Sequence, residues 1–576
     1  MFNLIKDLVN NNEWDLALEK LPHLLNEEIN DNIAILAASI YEYFGNDELT
    51  FDYISKGLEY NYKNYELYLC LGNYYSQRNV DLAYLCYENA EFYCNNEEDK
   101  KIIIEIKNSL YHNNKINVKP VSIVILSFNN IELTKNCIDS IRMYNKEDTY
   151  EIVVVDNHST DDSITWLKQQ DDIILIENQE NLGFPYACNQ GCKEAKPEND
   201  IMLLNNDTIV MPNSIYGLRM GLYESGDIGG AGSVTNCAGN KQVVNNQYDS
   251  PEEYFSFATK NNIPKVNSYE QKIWLVGFAL LLKRTALDVV GLLDTRFSPG
   301  NYEDNDIGIR MQYAGYKMLL CYNSFIFHYG GKSFNINSEK YDQLININRD
   351  KLVAKWGFDI SYYIFARDEL INLINIDQNT VIKVLEVGCG CGSTLAKIKF
   401  LYPNAIVHGI EIVPEIAKIG ANNFDIIQGD IETMEIPYPQ EYFDYIIFAD
   451  VLEHLNDPSK IIKKANKFLC DGGAILASIP NIMHATVITS LLKGNFTYRN
   501  AGILDKTHLR FFTLKEIIKL FLESGYKIDK ISATMGENYI FEQEKELLQA
   551  LYQLPNIANR ELFEAYQYLV MAKKFK

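Results

Sequence analysis

Positive charge is scarce in this sequence. Its 53 lysines and arginines face 77 aspartates and glutamates, a formal net charge of −24. A field of that sign disfavours nucleic acid and anionic lipid as general partners, and any anionic cofactor must be held by local groups. Long apolar runs are missing too. The longest, Ile273 to Leu282, falls well short of the roughly 20 residues a spanning helix needs, so no integral membrane segment is expected. The start, Met1-Phe2-Asn3-Leu4-Ile5-Lys6-Asp7, has no cationic stretch followed by an apolar one, and no secretory leader is expected from it. The 11 cysteines are scattered. Cys188/Cys192 and Cys389/Cys391 are close pairs, but neither has a second pair at zinc-finger spacing. Reduced thiols in a cytoplasmic protein are the expectation, each cysteine serving as a small buried apolar residue.

What is present is length and pattern. A chain of 576 residues with 47% hydrophobic content is too long for one core, and three or four domains are expected. Residues 1–115 show no strand alternation but do repeat. Ala17, Thr50 and Ala83 are spaced by 33, as are Leu21, Ile54 and Tyr87, and Gly57 and Ala90 keep the step. Small residues at that period let paired helices approach closely. The segment resembles tetratricopeptide repeats, with a degenerate match. It reads equally as a cap packed on the next domain or as a groove for a protein partner. A polar linker follows, and Val121 opens a run of apolar strands alternating with helices, the signature of a parallel sheet covered on both faces. This run defines a domain over 119–358, in which Gln242 to Lys272 reads as a polar, irregular excursion. Residues 359–377 read as a linker or helix, and a second alternating run occupies 378–576.

In the middle domain, acids sit where strands end. Asp156 closes Val153-Val154-Val155, and Asp207 follows Leu204-Asn205-Asn206. In an open sheet, ligands bind beyond the carboxyl ends of strands, and an acid there can hold a divalent cation. Glu303-Asp304 opens a helix, where a carboxylate can deprotonate an acceptor hydroxyl. Asp306 lies four residues before Arg310 and reads as a helix-face ion pair rather than chemistry. His328 reads as a metal ligand or as a core histidine, and Lys332 as a phosphate contact or a solvated side chain.

Seven stretches occur in order: Leu126-Ser127-Phe128-Asn129, Val155 to Asp161, Asn181-Leu182-Gly183-Phe184, Asn205-Asn206-Asp207-Thr208, Gly277-Phe278, Tyr302-Glu303-Asp304 and His328-Tyr329-Gly330-Gly331. Together they resemble family 2 inverting glycosyltransferases of the GT-A fold, nearest the rhamnosyltransferase-like branch. The resemblance implies a nucleotide-sugar donor gripped by Ser127, Asn129, Asp156, Asn181, Gly183, Asn206 and Asp207, with Asp156 at the base. It implies a divalent cation, Mg2+ or Mn2+, on Asp207 and His328. Asp304 becomes the catalytic base, with Gly277, Phe278 and Glu303 on the acceptor side. The family's Asp-x-Asp is here Asn205-Asn206-Asp207, with one acid, so cation binding leans on His328 and the diphosphate. A Gln-x-x-Arg-Trp signature of processive synthases is missing, which favours addition of a single sugar.

The last domain opens with Glu386-x-Gly388-x-Gly390-x-Gly392 between a strand and a helix. Such glycines permit a tight turn and close backbone approach to a ligand. Glu411 ends the next strand, 25 residues on, where an acid can grip ribose hydroxyls. Gln428-Gly429-Asp430, Asp450 to Leu455 and Asp505 to Phe512 follow. This order resembles class I S-adenosylmethionine-dependent methyltransferases, and the glycine spacing disfavours a nicotinamide cofactor. The resemblance implies S-adenosylmethionine on Glu386, Gly388, Gly390, Gly392, Glu411, Asp430 and Asp450, with Asp430 near the adenine. His454, His484 and His508 are candidate bases for a hydroxyl acceptor, His508 foremost. Spacing reveals no metal constellation in this domain.

The expected fold class is multidomain: a tetratricopeptide-like helical repeat, an α/β GT-A domain, then an α/β Rossmann-like methyltransferase domain. The expected function is inverting transfer of one sugar, rhamnose or another deoxyhexose, plus O-methylation of the same glycan. Two alternatives stand beside it. In one, the repeats dock a protein such as a flagellin or surface subunit whose glycan is being built. In the other, a degenerate transferase serves as a sugar-binding scaffold.

Overall fold

The computed structural model describes residues 1–26, 29–330, 338–535, 542–553 and 561–575. The chain forms two compact units, Met1–Asp359 and Ile360–Lys576. The first begins with seven helices: α1 (Phe2–Asn10), α2 (Trp14–Leu24), α3 (Asp31–Tyr43), α4 (Asp47–Tyr60), α5 (Tyr65–Ser76), α6 (Val80–Tyr93) and α7 (Glu97–Asn113). Asparagine sets the starts of five of them. Asn30, Asn46, Asn64, Asn79 and Asn96 each turn a side-chain oxygen onto amides of the next first turn, satisfying donors that a helix N-terminus leaves orphaned. Small residues set the approach. A Cβ on Gly57 would meet Ala34 and Leu67 at under 3 Å, and one on Gly72 would meet the Tyr87 ring.

An α/β layer follows in the same unit: β1 (Val121–Ser127), α8 (Ile131–Tyr144), β2 (Tyr150–Asp156), α9 (Ser163–Leu167), β3 (Ile173–Glu177), α10 (Phe184–Glu194), β4 (Asp200–Asn205), β5 (Thr208–Ile209), α11 (Ser214–Leu222), β6 (Ile228–Val234), α12 (Pro251–Asn261), β7 (Tyr269–Lys272), β8 (Ala279–Leu282), α13 (Arg284–Val290), α14 (Glu303–Tyr313), β9 (Lys317–Phe325), β10 (Phe327–His328) and α15 (Ser338–Trp356). The main sheet runs β3-β2-β1-β4-β8-β6-β9-β7, parallel from β3 to β4. Strand order reverses at β1, where β4 lies opposite β2, and that reversal opens a crevice at the carboxyl ends of the strands.

The excursion over Gln242 to Lys272 is more ordered than its polarity suggests. It contains α12, capped by Ser250 with Pro251 at its first position, and the edge strand β7. The Asp306–Arg310 pair forms at 2.8 Å, and it is buried rather than superficial. Lys355 (2.6 Å) and Trp356 Nε1 (3.0 Å) from α15 also bind Asp306.

The helical region is joined to this layer through buried polar groups. Asn213, held at φ 59 before α11, donates to Tyr68 Oη and accepts from Tyr93 Oη, both at 2.9 Å. Arg219 pairs with Glu88, and Asn79 donates to the Tyr223 carbonyl.

The second unit contains α16 (Asp368–Ile371), β11 (Lys383–Val387), α17 (Ser393–Leu401), β12 (Ile406–Glu411), α18 (Pro414–Ala421), β13 (Asp425–Gln428), β14 (Phe443–Ala449), α19 (Pro458–Asn466), β15 (Leu469–Pro480), α20 (Ala485–Leu492), α21 (Leu514–Glu523), β16 (Tyr526–Met535), α22 (Glu542–Tyr552), α23 (Glu561–Glu564) and β17 (Ala565–Lys574). Its sheet runs β13-β12-β11-β14-β15-β17-β16, with β17 antiparallel to both neighbours. The order reverses between β11 and β14, again at the glycine loop. The amphipathic pattern over 542–566 predicts a helix interrupted near Pro555, and that interruption lies outside the described residues. The helical region followed by two α/β sheets matches the expected multidomain architecture. No described helix is long and apolar enough to cross a membrane.

Candidate functional sites

In the first unit, the crevice beyond β1, β2 and β4 gathers the expected residues. Asp156 is fully buried and spends both oxygens on Ser159, accepting from its amide (2.8 Å) and hydroxyl (2.6 Å). Ser159 Oγ accepts the Asn129 amide, and Asn129 Oδ1 accepts the Thr160 amide. Asp156 thus shapes the loop from beneath. Asn181 Oδ1 accepts from Asn157 Nδ2 and the Gly183 amide. Gly183 sits at φ 81, and a Cβ there would meet Pro299 and Ser298 at 2.6 Å or less. Ser127 Oγ is buried with no partner among the described residues. Asn206 donates to Thr134 Oγ1.

Asp207 and His328 come together because β10 pairs with β5, setting His328 against Thr208. His328 Nε2 lies 3.2 Å from Asp207 Oδ1, and that oxygen has no well-aligned hydrogen bond. Burial alone would lower the His328 pKa, but the Asp207 bond and charge hold it above its ordinary value. Its Nδ1 faces the Cys237 carbonyl at 2.8 Å, and Asn236 brackets its backbone on both sides. Asn236 and Cys237 carried no sequence signal, lying about 90 residues from the histidine they orient.

The stretch leading into β8 ties this corner to α14. The Gly277 amide donates to Asp304 Oδ2 (3.3 Å), the Phe278 ring stacks on His328, and the Phe278 carbonyl accepts the Asn205 amide. Asn301 and Tyr302, both at φ near +75, aim the first turn of α14. Such backbone is rare for a bulky residue and clusters at functional sites. Glu303 is buried with Oε2 unpartnered among the described residues, and Asp304 is half-buried beside it. Burial raises the pKa of both carboxyls, and the Asp304 charge raises that of Glu303 further. Gly331 and Lys332 lie outside the described residues.

In the second unit, Gly388, Gly390 and Gly392 adopt φ of 71, 57 and 90. Added Cβ atoms there would meet Val451, the Tyr363 carbonyl and Phe424, each at 2.8 Å or less. Glu411 holds the loop by accepting the Gly390 amide (2.9 Å) and the Val413 amide (2.9 Å). Glu386 is 2% exposed, and its Oε2 has no partner among the described residues. Asp430 accepts the Glu432 amide. Asp450, at φ 54, is bound by Arg367 Nη1 (2.6 Å) and Ser478 Oγ (2.7 Å). Arg367 was not anticipated, since it stands upstream of the glycine loop in the stretch read as a linker.

His484 is fully buried and caps α20. His454 and His508 instead meet ring to ring at 4.8 Å. Both adjoin Glu453, whose two carboxyl oxygens are buried without partners among the described residues. Sequence spacing hid this group because His508 is about 55 residues beyond Glu453. The Leu509 and Arg510 amides, donating to the Glu453 carbonyl, bring it back.

Residues 122–287 match the family model described as glycosyl transferase family 2. Residues 362–531 match the model described as a methyltransferase domain. Among curated relatives, the chain is similar to a demethylmenaquinone methyltransferase of Listeria monocytogenes, 26% identical over 217 residues, covering 34% of this chain and 86% of the relative. An uncharacterized protein of Methanocaldococcus jannaschii is 29% identical over 157 residues, covering 26% of this chain and 67% of its own length. Solved structures with some likeness include an S-adenosylmethionine-dependent methyltransferase, possible histamine N-methyltransferase, from Thermotoga maritima (15% identity, TM-score 0.27, 41% of this chain and 99% of that one). Another is GalNAc-T7 with UDP, GalNAc and Mn2+ (15% identity, TM-score 0.31, 40% of this chain and 48% of that one). The two family models, not these distant likenesses, carry the assignment. This chain carries a family 2 glycosyltransferase domain followed by a class I methyltransferase domain, two transferases in one polypeptide.

Proposed function

We propose that the chain adds one sugar, with inversion, from a nucleotide-sugar to a glycan or glycoprotein acceptor, and methylates a hydroxyl of that glycan. The observation that carries the first half is the clasp at Gly277 and Phe278, which draws Asp304, His328 and Asn205 to one crevice. Asp304 takes the proton of the acceptor hydroxyl, its raised pKa bringing it closer to that task than an ordinary carboxylate. The buried Asp207 oxygen without an aligned hydrogen bond, with His328 Nε2 beside it, fits a divalent cation such as Mg2+ or Mn2+. When bound, that cation would supply positive charge for the diphosphate leaving group. The rhamnosyltransferase-like motif set favours rhamnose or another deoxyhexose as donor.

For the second half, the crowded glycine cradle and the unpartnered Glu386 oxygen fit S-adenosylmethionine, whose sulfonium supplies the methyl group. The acceptor hydroxyl's proton leaves toward His508, whose Nδ1 is tied to the Ile503 carbonyl at 2.9 Å and whose Nε2 is therefore the basic nitrogen. We read 119–358 and 378–576 as the two catalytic domains and 1–115 as a cap. The cap reading gains support from α6, whose Glu88, Asn89 and Tyr93 are already engaged with Arg219 and Asn213 of the same unit.

The test incubates the full chain with a panel of nucleotide-sugars, Mn2+ and labelled S-adenosylmethionine. Nucleoside diphosphate release dependent on Asp304 supports sugar transfer. Donor binding without release, unchanged in Asp304→Asn, would favour the sugar-binding scaffold instead.

A further inference from the structure

We infer that Glu453, His454 and His508 form a site for a divalent cation of borderline softness, zinc foremost, on the acceptor side of the methyltransferase domain. The inference rests on the methyltransferase reading and replaces His508 as a free base by His508 as a ligand. Three features support it. One ligand atom from each residue lies within 4.8 Å of the others, a spread that small side-chain rotations can close around one ion. Two imidazoles and a carboxylate are a donor set that suits such ions and leaves a position open.

The second feature is the orientation of both rings. His508 Nδ1 faces the Ile503 carbonyl (2.9 Å), and His454 Nδ1 faces the Thr507 carbonyl (3.2 Å) and the Thr507 hydroxyl (3.3 Å), whose own hydrogen goes to Asp505 Oδ1 (2.6 Å). A carbonyl only accepts, so both Nδ1 atoms carry the hydrogen and both Nε2 atoms keep a lone pair. Metal-bound histidines are fixed in this way by the partner of the other nitrogen. The third is Glu453. The residue is 1% exposed, and neither carboxyl oxygen has a hydrogen-bond partner among the described residues. A buried carboxylate is costly without compensation. Neighbouring Asp450 differs, because Arg367 and Ser478 already satisfy it.

The position suits chemistry. Glu453 and His454 follow the carboxyl end of β14, and Val451 is the residue that an added Cβ on Gly388 would strike at 2.7 Å. The cluster therefore adjoins the methyl-donor loop. An acceptor hydroxyl at the open position loses its proton to solvent more readily, because a bound cation stabilises the alkoxide. The oxygen then attacks the sulfonium methyl. An O–CH3 bond forms, the S–CH3 bond breaks with its electron pair going to sulfur, and the thioether product leaves.

The experiment uses the full chain carrying Asp207→Asn, which removes the other candidate cation position. After chelation and dialysis it is titrated with Co2+, following the visible ligand-field band, and then with Zn2+ in competition. The expected result is one equivalent of Co2+ giving a band that Zn2+ displaces, with affinity falling about tenfold or more in Glu453→Gln and in His508→Ala. S-adenosylmethionine binding is measured in every sample to confirm a folded domain. A protein that binds S-adenosylmethionine but shows no Co2+ band, or whose band is unchanged in both variants, overturns the metal site and leaves His508 as the base. Loss of S-adenosylmethionine binding in the parent itself would instead defeat the methyltransferase reading on which the inference rests.

Discussion

Replacing Glu386 by Gln keeps the shape of the residue beneath the glycine loop and removes its charge. Burial pushes the Glu386 carboxyl up to about 8, against the opposing Thr394 bond and Arg367 charge. In the free protein near neutrality it is mostly protonated. The sign of the linkage follows. A carboxyl whose folded pKa lies above its unfolded value contributes stability at low pH and loses it as pH rises through the folded value. Each pH unit between 4.5 and about 8 is worth ~1.4 kcal/mol, so at pH 7 the ionisable side chain costs about 3 kcal/mol that Gln does not. Glu386→Gln should therefore raise the melting temperature of the ligand-free second unit, with a gain that widens from about pH 5 to about pH 8. Donor binding should move the other way. S-adenosylmethionine is cationic, so it favours the ionised carboxylate and releases a proton on binding. Wild-type affinity should climb with pH by up to about tenfold per unit, flattening near 8, whereas the variant binds more weakly with no such slope. Calorimetry in buffers of different ionisation enthalpy reads both affinity and proton release. Parallel pH profiles for the two proteins would refute the assignment of Glu386 to the donor site.

Other consequences are open to measurement. Asp304→Asn should lower sugar transfer by about a hundredfold or more while leaving methyl transfer to an already glycosylated acceptor intact, and the wild-type kcat/KM for sugar transfer should fall on acidification at a pH above the ordinary aspartate value, since burial raises this carboxyl. Asp207→Asn should abolish the Mn2+ dependence of nucleotide-sugar binding, read by thermal shift with and without the ion. Asn213→Ala strands Tyr68 and Tyr93 in a buried network and should cost about 2–4 kcal/mol in denaturant unfolding. A loss under ~0.5 kcal/mol would mean that this network does not hold the helical region to its sheet.

Much of the architecture was legible because the chain writes it locally. Apolar runs such as Val121 to Leu126 and Val153 to Val155 can be buried only in a covered parallel sheet. The glycines before Ser393 mark a strand-to-helix turn that needs positive φ at three positions. The helical character of residues 1–115 was visible through small residues at a fixed spacing, and asparagine caps give α3 to α7 their starts. What stayed hidden depends on distance or on mixed signals. The stretch around Ser250-Pro251-Glu252-Glu253 carries a helix-start signature, yet its polar surroundings masked α12. Asp306 and Arg310 look like a surface pair until α15 folds over them with Lys355 and Trp356. The Asn236 and Cys237 bracket on His328, the Arg367 clamp on Asp450 and the Glu453–His454–His508 group each join segments far apart in the chain. No local spacing rule can find such sets.

The central claim is that one polypeptide performs two transfers on one glycan. Mass spectrometry of the acceptor after incubation with the full chain, a nucleotide-sugar and S-adenosylmethionine tests it most directly. The account predicts a product heavier by one sugar when only the nucleotide-sugar is supplied, and by one sugar plus one methyl when both donors are present. Asp304→Asn should remove the first gain, and Gly390→Arg the second. A methylated product that never carries the added sugar, or a sugar gain that persists in Asp304→Asn, would contradict it.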